Sequence, residues 1–276
     1  MRVAFASRRE PARSVRGLQN VRTPLWPPGG TFGRSRLFAT VSFIALATDY
    51  DGTIARDGVV DPATLKALKA LKAAGKKLVM VTGRELPDLR RVFDRLDAFD
   101  AVVAENGALL YLPGTAEERA LAPPPPRALV EALKAAGVEP LSVGRSIVAT
   151  WEPHEAAVRA IIRKLGLEWQ VIFNKGAVMC LPPGVDKATG LAHALTELRL
   201  APLDVVGAGD AENDCPFLAI CGCAVAVSNA LTAVKDMADI VTRGDHGAGV
   251  AEIIGGWLSD PGATFAAVRR RATASG

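Results

Sequence analysis

The sequence predicts an α/β protein, a doubly wound parallel sheet that carries a small inserted α+β domain. Two stretches of the chain alternate short apolar runs with helical patterns, which is typical of a parallel sheet with crossover helices. Between them lies a segment in which one helix and two strands follow each other twice. With 276 residues and 49% apolar side chains, the chain can form one large or two modest domains.

The first stretch predicts a βαβαβ unit. Its apolar runs predict strands at 44–48, 78–81 and 101–104. Asp61 followed by Pro62 is typical of a helix start, and leucines then recur on one face until Gly75 ends that helix. A second helix is predicted at 85–96.

The second stretch repeats this alternation after residue 184. Helices are predicted at 187–198, 212–220 and 250–258, and strands at 204–207 and 224–227. The middle segment predicts αββαββ, with helices at 127–136 and 154–165 and strands at 139–143, 147–151, 169–173 and 178–181. We therefore expect a core domain from residues 43–108 and 184–260, an inserted domain at 109–183 and a disordered tail at 261–276.

An Arg-rich leader carries the positive charge of this protein. Residues 1–42 hold eight arginines and one acidic residue, so the formal charge of +4 becomes −3 once the leader is set aside. Prolines and glycines predict that the leader is disordered. It resembles an organellar transit peptide or a secretory signal. The third explanation is an incidental upstream extension that is not part of the fold. Cleavage of a signal after Ala47 would remove the strand before Asp49, which disfavours the secretory interpretation.

The remaining composition favours a cytoplasmic protein. Four cysteines in so long a chain do not form a disulfide framework, and no second Cys or His cluster has zinc-ligand spacing. No apolar stretch reaches the roughly 18 to 20 residues that span a bilayer. We therefore expect no membrane partner.

Two carboxylates follow the first predicted strand. Asp49 and Asp51 stand two residues apart, so in an extended backbone both would face one spot at the carboxyl end of the strand. Like charges that close need a proton, a cation or separation. A plain Asp-Gly turn would explain Asp51-Gly52 equally well.

Polar side chains also follow the other strands of the predicted sheet. Thr82, Gly83 and Arg84 end the second strand, and Lys187 starts a helix, where the helix dipole disfavours a cation. Capping and ordinary solvation are the simpler explanations for Thr82 and Lys187. Asp210 and Asp214 follow a later strand, and four acids at one sheet edge favour a divalent metal, for which oxygen ligands indicate Mg²⁺.

Together these motifs resemble the haloacid dehalogenase (HAD) superfamily of phosphatases over residues 44–258. The αββαββ insertion, together with Glu105 and Asn106 after the third strand, resembles the class IIB (Cof-type) cap domain. The insertion lacks the extra αβαβ repeat of larger members, as in archaeal-type phosphoglycolate phosphatases and small sugar-phosphate phosphatases. The resemblance implies a magnesium-dependent phosphatase.

The resemblance also implies roles for residues. Asp49 would be the nucleophile and Asp51 the acid and base. Thr82, Gly83 and Lys187 would bind the phosphoryl group. The implied metal ligands are Asp49, Asp51, Asp210 and Asp214. Substrate contacts are expected from Arg84, Glu105 and Asn106, with Arg145, His154, Asn174 and Lys175 as further candidates in the insertion; Asn229 resembles a family loop beside the metal.

We expect a small phosphorylated metabolite, phosphoglycolate or a sugar phosphate, as the partner of a monomer or homodimer. The alternative is a non-catalytic, regulatory module that binds a phosphorylated ligand. Nucleic-acid binding through the leader is a third interpretation, which we disfavour because the rest of the chain is acidic. P-loop, dinucleotide and nucleophile-elbow motifs are absent from the sequence.

Overall fold

The computed structural model describes residues 42–268, which form two sheets. The strands of the larger sheet, in chain order, are β1 (Ala45–Thr48), β2 (Lys77–Val81), β3 (Ala101–Ala104), β4 (Leu109–Leu112), β5 (Glu117–Ala120), β10 (Val205–Gly209), β11 (Cys223–Ala226) and β12 (Ile240–Val241). The spatial order is β12-β11-β10-β1-β2-β3-β4-β5. The six strands from β12 to β3 are parallel, and β4 and β5 continue the sheet as antiparallel strands.

Helices flank this sheet. Their bounds are α1 (Pro62–Ala73), α2 (Leu86–Val92), α5 (Lys187–Leu198), α6 (Cys215–Ile220), α7 (Thr232–Met237), α8 (His246–Ser259) and α9 (Pro261–Thr264). Helix α1 packs against α8, and α5 packs against α6. Asp61 caps α1 as predicted, because its Oδ1 accepts hydrogen bonds from the backbone N–H groups of Ala63 and Thr64. The predicted fold class is confirmed.

The strand register brings several strand ends to one edge of the sheet. Thr48, the last residue of β1, lies beside Met80 of β2 and Ala208 of β10. The strands are buried on both faces, as continuous apolar runs in parallel strands require. Residues that follow β1, β2, β3 and β10 therefore meet at one edge, where open α/β sheets bind ligands.

The second sheet belongs to the inserted domain. It contains β6 (Ser142–Val143), β7 (Val148–Trp151), β8 (Gln170–Asn174) and β9 (Ala177–Leu181), paired antiparallel in the order β6-β7-β9-β8. Helices α3 (Arg127–Ala135) and α4 (Glu155–Lys164) complete the predicted αββαββ pattern. The domain has its own apolar cluster, which includes Leu129, Leu133, Val158, Ile162 and Val178.

One predicted domain boundary and one predicted helix end differ from the structure. The insertion was expected to begin at residue 109, but β4 pairs with β3 and extends the core sheet, followed by β5. The physical reason is that the apolar run Leu109–Leu112 folds straight back onto β3, so the inserted domain begins only after β5. The predicted helix 85–96 is also shorter, since the backbone leaves the helical region at Phe93.

The predicted disordered tail is partly ordered. Residues 261–264 form α9, and the rings of Phe43 and Phe265 meet edge to face with their centroids 4.8 Å apart. Phe265 and Val268 are buried, because they complete the apolar cluster around Trp257. Most of the predicted leader, residues 1–41, and the tail beyond residue 268 lie outside the described residues. Within 42–268, every helix is too short or too polar to cross a bilayer.

Candidate active site

Buried charged side chains converge at the sheet edge where β1 and β10 end. Asp49 follows β1, Asp210 and Asp214 follow β10, and Lys187 is the first residue of α5. Each of these four residues is at most 4% exposed. Charged groups are almost never buried to this extent unless they are paired, so the cluster is an unusual feature of this chain.

Lys187 joins two of these carboxylates. Its Nζ donates hydrogen bonds to Oδ1 of Asp49 and to Oδ1 of Asp214, both at 2.6 Å. Burial alone would lower the pKa of Lys187, but the charges of Asp214 and Asp49 and their hydrogen bonds raise it above its ordinary value. Lys187 is therefore a permanent cation between the two carboxylates.

The depth of Lys187 is set by a contact between two backbones. Gly190 lies one turn further along α5, and a Cβ atom there would stand 2.5 Å from the Cα of Gly107. Gly107 follows β3 with a φ of +109°, which suits glycine. Helix α5 can therefore lie directly on this loop, with its first residue inside the cluster.

The carboxylates are arranged to hold a cation. Asp49, Asp210 and Asp214 each offer an oxygen atom within 4.8 Å of the others. Burial, and next the charge of Asp214, raise the pKa of Asp49 well above its usual range, and burial raises the pKa of Asp210. Deprotonated acids this close are costly without a counter-charge, and an all-oxygen set fits a hard divalent ion such as Mg²⁺.

Asp214 differs from the other two acids. Its Oδ2 accepts hydrogen bonds from the backbone N–H groups of Asp210 and Ala211, at 2.8 and 2.9 Å, while its Oδ1 binds Lys187. Both oxygens of Asp214 therefore already fix the loop and the lysine. Thr53, which sequence reasoning did not single out, donates from Oγ1 to Oδ1 of Asp210 at 3.1 Å.

Asp51 lies apart from the carboxylate cluster. Arg84 binds it with two hydrogen bonds, from Nε to Oδ2 at 2.6 Å and from Nη2 to Oδ1 at 2.7 Å. A second carboxylate, Asp88, accepts from Nη1 of the same arginine at 2.6 Å. Asp49 and Asp51 both line the cavity described below, but the Asp51 carboxylate is not part of the cluster, because β1 ends at Thr48 and the chain turns at Gly52, with a φ of +87°. This geometry does not support the Asp51 carboxylate as a metal ligand.

Thr82 and Gly83 occupy the end of β2. Thr82 is fully buried, and its Oγ1 accepts a hydrogen bond from the backbone N–H of Arg84 at 3.1 Å. Gly83 lines a cavity of about 570 Å³ between the core and the inserted domain, and so do Asp49, Asp51 and Arg84. The predicted phosphate-binding residues thus reach the same edge as Asp49.

Glu105 and Asn106 contact other parts of the protein. The carboxylate of Glu105 accepts hydrogen bonds from the backbone N–H groups of Arg145 and Ser146, at 3.0 and 2.8 Å, in the turn between β6 and β7. Asn106 accepts one from Nδ2 of Asn213 at 3.0 Å. Neither residue lines the cavity in this structure, where the inserted domain covers Glu105. Their substrate contacts stay a prediction.

The inserted domain supplies the other wall of the cavity. Its apolar contributions include Ile147, Ala149, Trp151 and Met179. Of the candidate substrate-binding residues in this domain, Asn174 and Lys175 line the cavity. Of the remaining candidates, the side chain of Arg145 pairs with Glu118 of β5, and His154 lies against the backbone oxygen of Glu139 at 2.9 Å. Those two residues do not face the cavity.

Asn229 links two loops beside the cluster. Its Nδ2 donates to the backbone oxygen of Gly52 at 2.8 Å, and its Oδ1 accepts from the backbone N–H of His246 at 2.7 Å. Asn229 therefore holds the turn that follows Asp51.

These features define a phosphatase of the haloacid dehalogenase type with a class IIB cap, and comparisons with known proteins agree. The sequence model of the haloacid dehalogenase-like hydrolases matches residues 46–143 and 147–254. The chain belongs to this family. From here on, we call the inserted domain the cap.

Known relatives are named as phosphatases. The chain is 32% identical over 219 residues to a phosphoglycolate phosphatase of Methanothermobacter thermautotrophicus, covering 76% of this chain and 96% of that protein. It is 30% identical over 226 residues to phosphoglycolate phosphatase 2 of Saccharolobus solfataricus, covering 78% and 93%.

Solved structures share the fold. A haloacid dehalogenase-like hydrolase from Bacteroides thetaiotaomicron aligns with a TM-score of 0.66 at 20% identity, over 78% of this chain and 99% of that one. A subclass IIB sugar phosphatase aligns with a TM-score of 0.62 at 18% identity, over 78% and 98%. Together with the family match, the phosphatase relatives identify this protein as a phosphatase.

Proposed function

We propose that this protein hydrolyses a small phosphorylated metabolite, phosphoglycolate or a sugar phosphate, in a Mg²⁺-dependent reaction through an aspartyl-phosphate. The observation that carries the proposal is the placement of Asp49. It is buried at the end of β1, lines the cavity, and is held by Lys187 through one oxygen atom. A carboxylate fixed in this way is suited to attack a phosphorus atom.

In this proposal Asp49 is the nucleophile and Asp51 is the general acid and base. An oxygen of Asp49 attacks phosphorus, and the bond from phosphorus to the ester oxygen breaks as Asp51 gives a proton to that oxygen. Asp51 then takes a proton from water, whose oxygen attacks the phosphorus and releases inorganic phosphate and free Asp49. Two hydrogen bonds from Arg84 hold the Asp51 carboxylate at the wall of the cavity. Asp51 can give a proton to the ester oxygen only after Arg84 releases one Asp51 oxygen, which then carries that proton.

The phosphoryl oxygens would be bound by Thr82, Gly83 and Lys187, which lie at or near the end of β2 and the start of α5. Asp49 and Asp210 would hold Mg²⁺, while Asp214 positions Lys187 and the loop after β10. When bound, the metal ion supplies positive charge beside the transferring phosphoryl group, which is the main demand of this chemistry.

Two features support the choice of substrates. The relatives described above are named phosphoglycolate phosphatases. The cavity, at about 570 Å³, lies in the range of small-molecule sites, and the half-exposed ring of Trp151 gives it an apolar surface on which a sugar ring can pack. Both substrates therefore belong in the first assay.

Phosphate release from a panel of metabolites, measured with Mg²⁺ and with EDTA, tests the proposal. We expect release from phosphoglycolate or a sugar phosphate only with Mg²⁺. Asp49→Asn should lower kcat by at least about a thousandfold, because the nucleophile is lost. Asp57→Asn is the matched control, since Asp57 has a φ of +51° that Asn tolerates.

Two results would contradict the proposal. Retained activity in folded Asp49→Asn would exclude the aspartyl-phosphate. No release from any compound by folded wild-type protein would favour a binding module instead.

We also propose a cytoplasmic location, which the low cysteine content of four residues in 276 supports, because it does not form a disulfide framework. A monomer or a homodimer is the expected assembly, and light scattering will distinguish them.

A further inference from the structure

Lys175 occupies a backbone conformation that suits other residues better. It lies in the two-residue turn between β8 and β9, where Lys175 has a φ of +49° and Gly176 a φ of +85°. Such turns favour Asn and Gly, because a side chain with a Cβ atom crowds the backbone in this region. A lysine kept at a strained position is a candidate for function.

The side chain of Lys175 reaches out of the cap and into the core. Its Nζ forms an ion pair with Oδ2 of Asp210, which is 1% exposed. The same ammonium group lies over Gly52, where a Cβ atom would overlap it. A residue of the cap thus contacts one of the acids that we assign to the metal.

The two lysines in contact with the carboxylate cluster differ in their freedom to move. The side chain of Lys187 is 1% exposed and has two carboxylate partners. The side chain of Lys175 is 46% exposed, lies on a turn and lines the cavity. Lys175 can therefore leave Asp210 without disturbing the core, whereas Lys187 cannot.

The charges of the cluster allow a divalent cation to take the place of the Lys175 ammonium group at Asp210. Asp49, Asp210 and Asp214 carry three negative charges, which Lys187 and one divalent cation neutralise completely. Two cations on one carboxylate would repel each other strongly in a site with little water. A phosphomonoester then brings new negative charge into the cavity, within reach of the long lysine side chain.

We propose that Lys175 and the divalent cation exclude each other on Asp210, and that the displaced ammonium group binds the phosphoryl group of the substrate. This inference rests on the proposed function. It makes Lys175 a residue of the cap that helps to assemble the site once metal and substrate are present.

Calorimetric titration of the full chain with MgCl₂, without substrate, tests the first half. Lys175→Met removes the competing cation, so we expect Mg²⁺ to bind about fivefold more tightly, the factor that a partly exposed ion pair supports. Lys175→Arg keeps the charge and should bind Mg²⁺ like wild type. Lys164→Met is the control, since Lys164 is exposed on α4 of the cap.

Titration with inorganic phosphate at saturating Mg²⁺ tests the second half. Lys175→Met should bind phosphate about fivefold more weakly, because one charged donor is missing. The two affinities thus move in opposite directions, which a purely structural lysine would not produce. If the Met variant does not fold, Lys175→Gln takes its place.

Mg²⁺ affinity that is unchanged or weaker in the folded variant would overturn the exclusion on Asp210. Unchanged phosphate affinity would overturn the role toward the phosphoryl group. These titrations involve no turnover, so failure of the proposed phosphatase reaction would appear separately, as wild-type protein that releases no phosphate in the metabolite assay.

Discussion

The core and the cap contribute to the candidate active site in different ways. The core supplies Asp49, Lys187, Asp210 and Asp214, which are buried, follow strands or begin a helix, and bind one another. The cap supplies residues from its strands and hairpin turns, and the charged one among them, Lys175, is half exposed. The core therefore holds a fixed arrangement of charge, whereas the cap can adjust its contacts.

The contacts between the two domains follow the same division. Acidic residues of the core bind the hairpin β6–β7: Glu105 accepts from the backbone of Arg145 and Ser146, and Glu118 pairs with the Arg145 side chain. The hairpin β8–β9 instead places a cation on an acid of the core. The comparison teaches that one hairpin anchors the cap while the other reaches the reacting groups.

The largest effect is expected from the buried cation of the core. Lys187→Met leaves Asp49 and Asp214 buried without their partner, so in EDTA we expect a loss of about 3 to 5 kcal/mol in the free energy of unfolding. Phosphatase activity should fall at least about a hundredfold. Urea denaturation and phosphate release measure the two effects.

The double variant Lys187→Met/Asp214→Asn is the control for this prediction. It removes one of the two buried carboxylates left without a cation, and it should recover at least about 1 kcal/mol of the lost free energy of unfolding. If Lys187→Met is as stable as wild type, the buried cation is not what holds these carboxylates.

An intermediate effect on stability is expected when a buried leucine is truncated in either of two apolar clusters. Leu133 lies in the cap cluster and Leu68 in the core cluster, and both are fully buried. Replacement of either by Ala should cost about 2 to 4 kcal/mol. Leu133→Ala should raise hydrogen exchange within 127–181 and increase KM more than it lowers kcat, because the core arrangement is intact.

Leu68→Ala serves as the matched comparison, and it should speed exchange throughout the core sheet. If Leu133→Ala also does so, the two domains unfold as one unit, and the division between a fixed core and an adjustable cap is wrong.

The smallest effect is expected from Glu105, where the two domains meet. Burial raises the pKa of Glu105, and the hydrogen bonds from the Arg145 and Ser146 backbones offset this only in part. The proton is bound more tightly in the folded state, so its stabilising contribution is present below the ordinary pKa of about 4.3 and is lost as pH rises. The free energy of unfolding of wild type should therefore fall relative to Glu105→Gln between about pH 4 and pH 7.

Urea denaturation of both proteins across this pH range measures the difference. Glu168→Gln, an exposed change in the cap, should show a constant difference from wild type. A constant difference for Glu105→Gln as well would mean that its carboxylate titrates normally at the contact with the cap.

The sequence predicted that these core residues meet at one edge of the sheet, because that placement depends on local rules. Asp49, Thr82 and Asp210 each follow an apolar run, and parallel strands bring such positions to one edge of the sheet. Lys187 was noticed because a cation at the start of a helix is locally unfavourable. The strand register and the burial of these residues then place them together.

Predictions that depend on contacts distant in the sequence were less successful. Glu105 binds a turn 40 residues further along, and no local pattern indicates that partner. Asp51 lines the same cavity as Asp49, as expected, but a turn at Gly52 and the two hydrogen bonds from Arg84 keep its carboxylate out of the cluster of Asp49, Asp210 and Asp214. Thr53 was missed because a hydroxyl in a turn is usually only a local hydrogen-bonding group.

The backbone contact between α5 and the loop after β3 affects how activity screens of variant libraries are interpreted. Gly190 and Gly107 carry no reacting group, yet a methyl group at Gly190 would lift the start of α5 and withdraw Lys187 from Asp49. A screen that scores only growth or turnover would rank these glycines beside the charged residues. Positions found to be sensitive in such a screen would therefore include those whose small size lets Lys187 reach Asp49, as well as those whose side chains take part in the reaction.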